Sequence, residues 1–241
     1  LEFRRVLFRS FFIYDNESTD NFHEVLKPYI EAGLVTYRAI KGRCRQCDAY
    51  NMAIAHYGHK FKYMGFIDCD EFVFVRKLLD GGGDYDLYNF VDKFMSEHPK
   101  AGGIGINWLM FGSNGHIKKP KGGVLENYIR CAEKDLTTNL HIKTICDPLK
   151  VLLYCNPHFP IYRKGFHNFD EAGNIIEGPF TREVHFDKIR INHYYTKSKE
   201  EYATIKMVRG MADGNPNVRT MDYFYGGDRN EVLDTEILSR I

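Results

Sequence analysis

The feature that most limits what this chain can fold into is a change of hydrophobic period near its start. Phe11 to Tyr14 form an apolar run, Phe22 to Ala32 place apolar side chains at helical spacing, and Leu34 to Ile40 return to a short apolar run. A period that switches from two to 3.6 and back marks strand, helix, strand, and favours a parallel α/β sheet. Gly33 falls where a helix ends best on a residue that tolerates the left-handed conformation. The same spacing rules predict a helix from about Arg45 to His56, a short buried strand from Tyr63 to Ile67 that stops at Asp68, and an amphipathic helix from Leu87 to Glu97 after a loop containing Gly81-Gly82-Gly83. A strand from Gly103 to Phe111 follows.

The alternation fades between about Gly112 and Lys188. Short strands and turns are expected there, with Asp170-Glu171-Ala172-Gly173-Asn174 as a hairpin turn and Pro148, Pro157, Pro160 and Pro179 punctuating the path. This half reads as an irregular layer over a Rossmann-like half. Ile189 to Tyr195 is a further strand, and Lys199 to Ala212 a helix capped by Ser198 with Glu201 three residues on.

With 241 residues, 44% of them hydrophobic, the chain can bury one sizeable core, so a single domain is expected. Lys plus Arg number 33 against 32 Asp plus Glu, which leaves no global field to draw in nucleic acid or anionic lipid. An anionic ligand must therefore be held by local groups. Apolar stretches such as Leu149 to Cys155 are far shorter than the roughly 20 residues that span a bilayer. The cysteines, Cys44, Cys47, Cys69, Cys131, Cys146 and Cys155, are scattered and suit a reducing cytoplasm; Cys44-Arg45-Gln46-Cys47 has no second pair with which to complete a zinc site. The opening segment, Leu1 to Ser10, resembles a translated sequencing adapter and is set aside from fold reasoning. On that basis one domain covers 11–241, its first strand is expected to be missing, and its end at Ile241 is expected to fall within a helix.

Three constellations could carry chemistry. Phe66-Ile67-Asp68-Cys69-Asp70-Glu71-Phe72 places three carboxylates after an apolar strand, and the carboxyl end of a strand is where open α/β sheets bind ligands. Such clustering is costly unless a cation offsets it, and a hard divalent ion takes oxygen ligands while bridging to phosphates. The alternative is an acidic turn in solvent. Tyr14-Asp15-Asn16-Glu17-Ser18-Thr19-Asp20 also follows an apolar strand and opens a helix, so its short polar side chains suit a ribose or base edge, or simply cap the helix. Asn192-His193-Tyr194-Tyr195-Thr196-Lys197 offers an imidazole for a borderline metal such as manganese and a lysine for a diphosphate. A lone histidine is otherwise a structural residue.

These segments, with Gln46, Tyr50 and Asn51 on the second helix and Asn107-Trp108 with Phe111-Gly112, together resemble the bacterial glycosyltransferases grouped with families 2 and 92. The resemblance spans Phe11 to about Asp234. It implies an α/β GT-A fold, a mixed Rossmann-like sheet with helices on both faces, a UDP-sugar donor and Mn2+ or Mg2+. By the same resemblance Asp68 and Asp70 are the metal-binding D-x-D and His193 is a third ligand; Asp15, Asn16, Ser18, Gln46, Asn51, Asp68 and Lys197 line the nucleotide sugar. The implied reaction inverts the anomeric carbon, which requires a carboxylate base near the acceptor hydroxyl. Glu126 is favoured, with Glu71 and Asp187 as alternatives. Trp108 and Phe111 could form a platform for a sugar ring, and His158 is a further acceptor-side residue.

Two other classes stay open. A nucleotidyltransferase could use the same metal logic, although no glycine-rich phosphate loop opens the chain. A non-catalytic carbohydrate-binding relative could hold calcium on the acidic cluster. The expected partners are a UDP-sugar and a glycan or lipid-linked acceptor, with no nucleic acid. The expected location is the cytoplasm, peripherally at the inner face of the plasma membrane, where surface polysaccharide or lipopolysaccharide would be built.

Overall fold

In the computed structural model, which describes residues 9–76, 86–209 and 219–240, the first elements follow the expected order. Strands β1 (Phe11–Asp15) and β2 (Val35–Ala39) pair in parallel and are joined by helix α1 (Phe22–Glu31). Gly33 ends that helix at φ +69°, a conformation that favours glycine. Helix α2 (Gln46–Tyr57) follows, then β3 (Met64–Gly65), β4 (Glu71–Val75), α3 (Leu87–Glu97) and the ten-residue strand β5 (Ala101–Met110), which is buried along its whole length.

Beyond β5 come α4 (Val124–Asn127), β6 (Arg130–Cys131), β7 (Ile142–Cys146), β8 (Val151–Leu153), β9 (Ile161–Tyr162), β10 (His167–Phe169), β11 (Ile175–Ile176) and β12 (Ile189–His193). A helix over 199–209, α5, then α6 (Met221–Gly227), β13 (Val232–Leu233) and a 3-10 helix over Glu236–Arg240 complete the described chain. The main sheet runs β4, β12, β5, β7, β3, with β10 and β11 added along β5. It is mixed: β12 and β10 lie parallel to β5, while β7 is antiparallel to it and β4 antiparallel to β12. Among the described residues no helix is long and apolar enough to cross a membrane.

Strands β3 and β4 are outer neighbours of β7 and β12, yet only residues 66–70 connect them. Four strand spacings in a flat sheet come to about 19 Å, close to the roughly 20 Å that so short a link can reach when fully extended. The sheet therefore curls, and the link stretches between its two sides. Phe66 still donates to the Thr144 carbonyl beside β7, while the Asp70 carbonyl accepts from Tyr194 just past β12.

One face of the curled sheet packs against α3. Val73 and Val75, Ile104 and Ile106, Ile145, and Ile189 and Ile191 meet Leu87, Val91, Phe94 and Met95 there. On the opposite face Phe74, Leu109, Phe111 and Tyr194 pack with Leu125 of α4 and Ile237. Helices thus cover both faces. The β1–β2 pair is a separate sheet, attached where Phe12 and Tyr14 pack onto Ala53, Met64 and Phe66.

Several expectations need correction. The strand expected over Tyr63 to Ile67 is only Met64–Gly65, and β4 directly follows the acidic motif, because Phe72 to Val75 is itself a run of aromatic and β-branched residues. The supposedly irregular half contributes β7, all of it buried, to the main sheet. The sheet is mixed, as the resemblance implied and unlike the parallel sheet that the opening alternation favoured, because β7 and β4 run opposite to β5. The hairpin turn holds: Asp170 accepts from the Ala172 and Asn174 amides between β10 and β11. Ser198 and Glu201 form the expected capping box, and the helix they start is described to 209. The glycine-rich loop at Gly81 to Gly83, the opening residues 1–8, Ala212 and Ile241 lie outside the described residues.

Candidate active site

Side chains two residues apart on a strand share a face, so the apolar rows beneath α3 can be followed to the other end of the sheet. There each row changes character. Val75 and Val73 of β4 lead to Glu71, Ile189 and Ile191 of β12 lead to His193, Ile104 and Ile106 of β5 lead to Trp108, and Ile145 of β7 leads to Lys143. These four are almost sealed from solvent, with Glu71 0%, Lys143 1%, His193 5% and Trp108 8% exposed.

The link 66–70 hangs its carboxylates over this polar end. Asp68 Oδ1 accepts from Gln46 Nε2 at 2.6 Å and lies 3.1 Å from Lys143 Nζ, with the Tyr50 hydroxyl at 3.4 Å. About 39% of the Asp68 side chain still reaches solvent. Glu71 accepts from the Asp68 amide at 2.9 Å and lies 3.9 Å from Lys143 Nζ. Asp70 pairs with Lys206 of α5, and His193 Nε2 stands 3.8 Å from the same Oδ2. Lys206 is the last residue of a π-helical stretch, Tyr202–Lys206, and its ammonium sits 4.7 Å from the centre of the Tyr195 ring.

Burial and charge set the protonation of this cluster. Burial pushes Asp70 up, but the His193 and Lys206 contacts outweigh it and hold the carboxyl well below its usual range. Asp68 is likewise lowered, with burial overcome chiefly by Lys143. Glu71 differs: burial wins over Lys143, and repulsion from Asp68 and Asp70 helps to push it up to about 8. Lys143 resists the loss of its proton despite burial because Glu71 and Asp68 face it. Asp68 and Asp70 are thus held as carboxylates beside Lys143 and Lys206, Glu71 is the carboxyl pushed toward its neutral form, and burial lowers Lys206 against the opposing pull of Asp70.

Trp108 is enclosed by imidazoles. His141 stacks on it at 4.8 Å with 9° between planes, His193 lies at 4.2 Å and His158 at 5.2 Å. His158 donates from Nδ1 to the Ile142 carbonyl at 2.9 Å, and burial, then Lys143, lowers it to about 4. The indole nitrogen of Trp108 and His193 Nδ1 are buried without a hydrogen-bond partner.

The structure gathers Gln46, Asp68, Asp70, Glu71, Trp108, His158 and His193 into one neighbourhood. Other sequence candidates have local duties. Asp15 accepts from the Ser18 amide at 3.0 Å and the Tyr37 hydroxyl at 3.3 Å, and Asn16 donates to the carbonyls of Ile40 and Gly42, so this element shapes the turn after β1. Asn51 exchanges two hydrogen bonds with the Tyr154 backbone. Lys197 adopts φ +49°, and the lysines that meet the carboxylates are instead Lys143 and Lys206. Phe111 is fully buried on the opposite face from Trp108, so the two do not form a joint platform. Glu126 is exposed and accepts from the Gly123 amide as the cap of α4. Asp187 precedes β12 at the far end from His193 and pairs with Lys134 on the surface.

Three positions of this cluster had no plain sequence signal. Lys143 sits inside an apolar strand, Lys206 lies well past the histidine motif, and His141 follows a turn; only the fold brings them together.

Among the described residues no three His, Cys, Asp or Glu side chains lie close enough to form a ready metal cage. Asp70 and His193 nonetheless present an oxygen and a nitrogen to one space, and the unpartnered His193 Nδ1 leaves that imidazole without another commitment. This donor pair fits a borderline divalent ion such as manganese. Asp68, next but one along the link, faces Gln46 and Lys143.

No curated protein matches this chain. The family model for glycosyltransferase family 92 matches residues 8–219, a span that contains every residue of the cluster just described. With most of its length covered by that match, the chain belongs to glycosyltransferase family 92, whose members act between a sugar donor and an acceptor.

Proposed function

We propose that the chain transfers a hexose from a UDP-sugar to a glycan or lipid-linked acceptor, with inversion, using Mn2+ or Mg2+ held by Asp70 and His193 with Asp68. The observation that carries this reading is the meeting of Asp70, from the link, with His193, at the end of β12, within a family 92 chain. When bound, the metal would offset the charge of the leaving diphosphate. The protein's own groups prepare the place. Lys143 and Gln46 hold the Asp68 carboxylate, and neutral Glu71 braces the link through the Asp68 amide. Trp108, enclosed by three imidazoles, buttresses His193 from within the sheet face.

The base is assigned to the acceptor side. Glu71 is buried and largely protonated, which suits bracing better than taking a proton. Glu126, exposed at the start of α4, remains the favoured base. Replacement by Gln would then lower kcat by at least about a hundredfold with UDP binding unchanged.

We place the enzyme in the cytoplasm at the inner face of a bacterial plasma membrane, where it would extend surface polysaccharide. Exposed Leu149, Leu152, Leu153 and Ile161 around the β8–β9 pair, beside Arg163 and Lys164, support peripheral contact with such a surface. The free cysteines are compatible with a reducing compartment.

Thermal melting tests the donor assignment. Manganese with UDP at a hundredfold excess over Kd should raise Tm by about 5–10 °C, and Asp70→Asn should remove the shift. Stabilisation by a nucleoside triphosphate with pyrophosphate release would favour nucleotidyl transfer instead. A response to glycan without nucleotide would favour the binding-protein alternative.

A further inference from the structure

We propose that Lys206 is a displaceable counter-ion, which holds Asp70 while the donor site is empty and moves onto the donor's diphosphate when nucleotide and divalent cation enter together. This rests on the donor-site reading above and goes beyond it by assigning a ligand-binding role and an order of binding.

Charge balance is the first ground. Asp68 and Asp70 are already matched by Lys143 and Lys206, in a setting where Asp70 and Lys206 are only 12% and 13% exposed. A divalent cation arriving alone would have to displace the ammonium from Asp70 and leave it without a partner in a largely buried place, which is unfavourable at low local dielectric. A cation arriving with a diphosphate brings the compensating anion. The displaced ammonium would then have a phosphate with which to pair.

The second ground is the contrast between the two lysines. Lys143 projects from the interior of a fully buried strand and faces both Asp68 and Glu71, so it is fixed. Lys206 comes from a helix whose first turn is anchored by the Ser198–Glu201 capping box, but whose next turn is the π-helical stretch ending at Lys206 itself. Such stretches carry a surplus residue and recur at functional sites. The ammonium rests over Tyr195 and on Asp70, contacts that a flexible four-carbon stem can exchange. A lysine of this kind is a point charge suited to phosphate.

The test uses calorimetric titration of the full chain with Mn2+ alone, and with UDP at saturating Mn2+. Wild type should bind Mn2+ alone at least tenfold more weakly than in the presence of UDP. In Lys206→Gln, Mn2+ alone should bind about tenfold tighter, while UDP with Mn2+ should bind about tenfold weaker, since a hydrogen bond to a charged group is lost. Lys206→Arg keeps the cation and should keep the wild-type order. Opposite movement of the two affinities separates this role from structural support, which would weaken both. If Lys206→Gln weakens both or changes neither, the assignment of Lys206 is overturned. Should that variant fail to fold, wild-type binding of Mn2+ alone as tightly as with UDP overturns it equally. If wild type binds neither Mn2+ nor UDP, the donor-site reading itself falls.

Discussion

The two ends of the sheet face beneath α3 share the same strands and the same pleat, yet they are stabilised by opposite physics. At one end, Val73, Ile106, Ile191 and Phe94 gain by leaving water, and each contact is worth having without its neighbours. At the other, Glu71, Lys143 and His193 lose by leaving water and are tolerable only because each faces a group from a different part of the chain. A continuous strand can thus carry stability at one end and function at the other. The apolar end fixes the register that brings the polar end together.

That contrast can be broken experimentally, beginning with its costliest member. Lys143→Met should destabilise by about 3–5 kcal/mol in urea titrations, because it leaves Asp68 without its buried cation. A Lys143→Met protein as stable as wild type would mean that the polar end is not held by pairing. Ile191→Ala at the apolar end should cost roughly 2–4 kcal/mol while leaving UDP affinity intact at temperatures where the protein stays folded. Loss of binding there would show that the ends are coupled more tightly than a shared register requires.

Acid titration sharpens the comparison further. His158 is held near 4 by burial and Lys143, below its ordinary value, so the unfolded chain takes up its proton first as pH falls. Stability should be complete above about pH 6.5 and decline toward pH 4, by roughly 2–3 kcal/mol from this residue, and His158→Gln should flatten that slope. The smallest effect is expected at Asp187, whose surface pair with Lys134 should be worth less than about 0.5 kcal/mol. An Asp187→Asn variant that melts normally but transfers sugar slowly would return that residue to the list of bases.

The elements whose residues satisfy local rules were legible from sequence. Helix α3 matched its apolar spacing, Gly33 and Ser198 ended and began helices as their chemistry requires, and Asp170 built its turn. The acidic motif was legible as a cluster of charge in need of compensation. The identity of the compensating groups was not, because Lys143 and Lys206 are 75 and 136 residues distant from Asp68 and Asp70 and are selected by the curl of the sheet and the packing of α5. A lysine inside Ile142-Lys143-Thr144-Ile145 could as well lie on the solvent side of an edge strand. Asp15, Asn16 and Asn51 show the converse: side chains fit for a ligand are engaged in holding loops.

The link over residues 66–70 has a consequence for how such a chain can vary. It ties together strands that would otherwise be two free margins of the sheet, one of them only two residues long. Open margins invite pairing with other chains, so the segment that bears the acidic groups also works as a drawstring, drawing the margins inward. Its length is a gauge. One added residue would slacken the curl by up to about 3.4 Å, carrying both carboxylates away from Lys143 and His193 together, so the length of the link is constrained as well as its two aspartates.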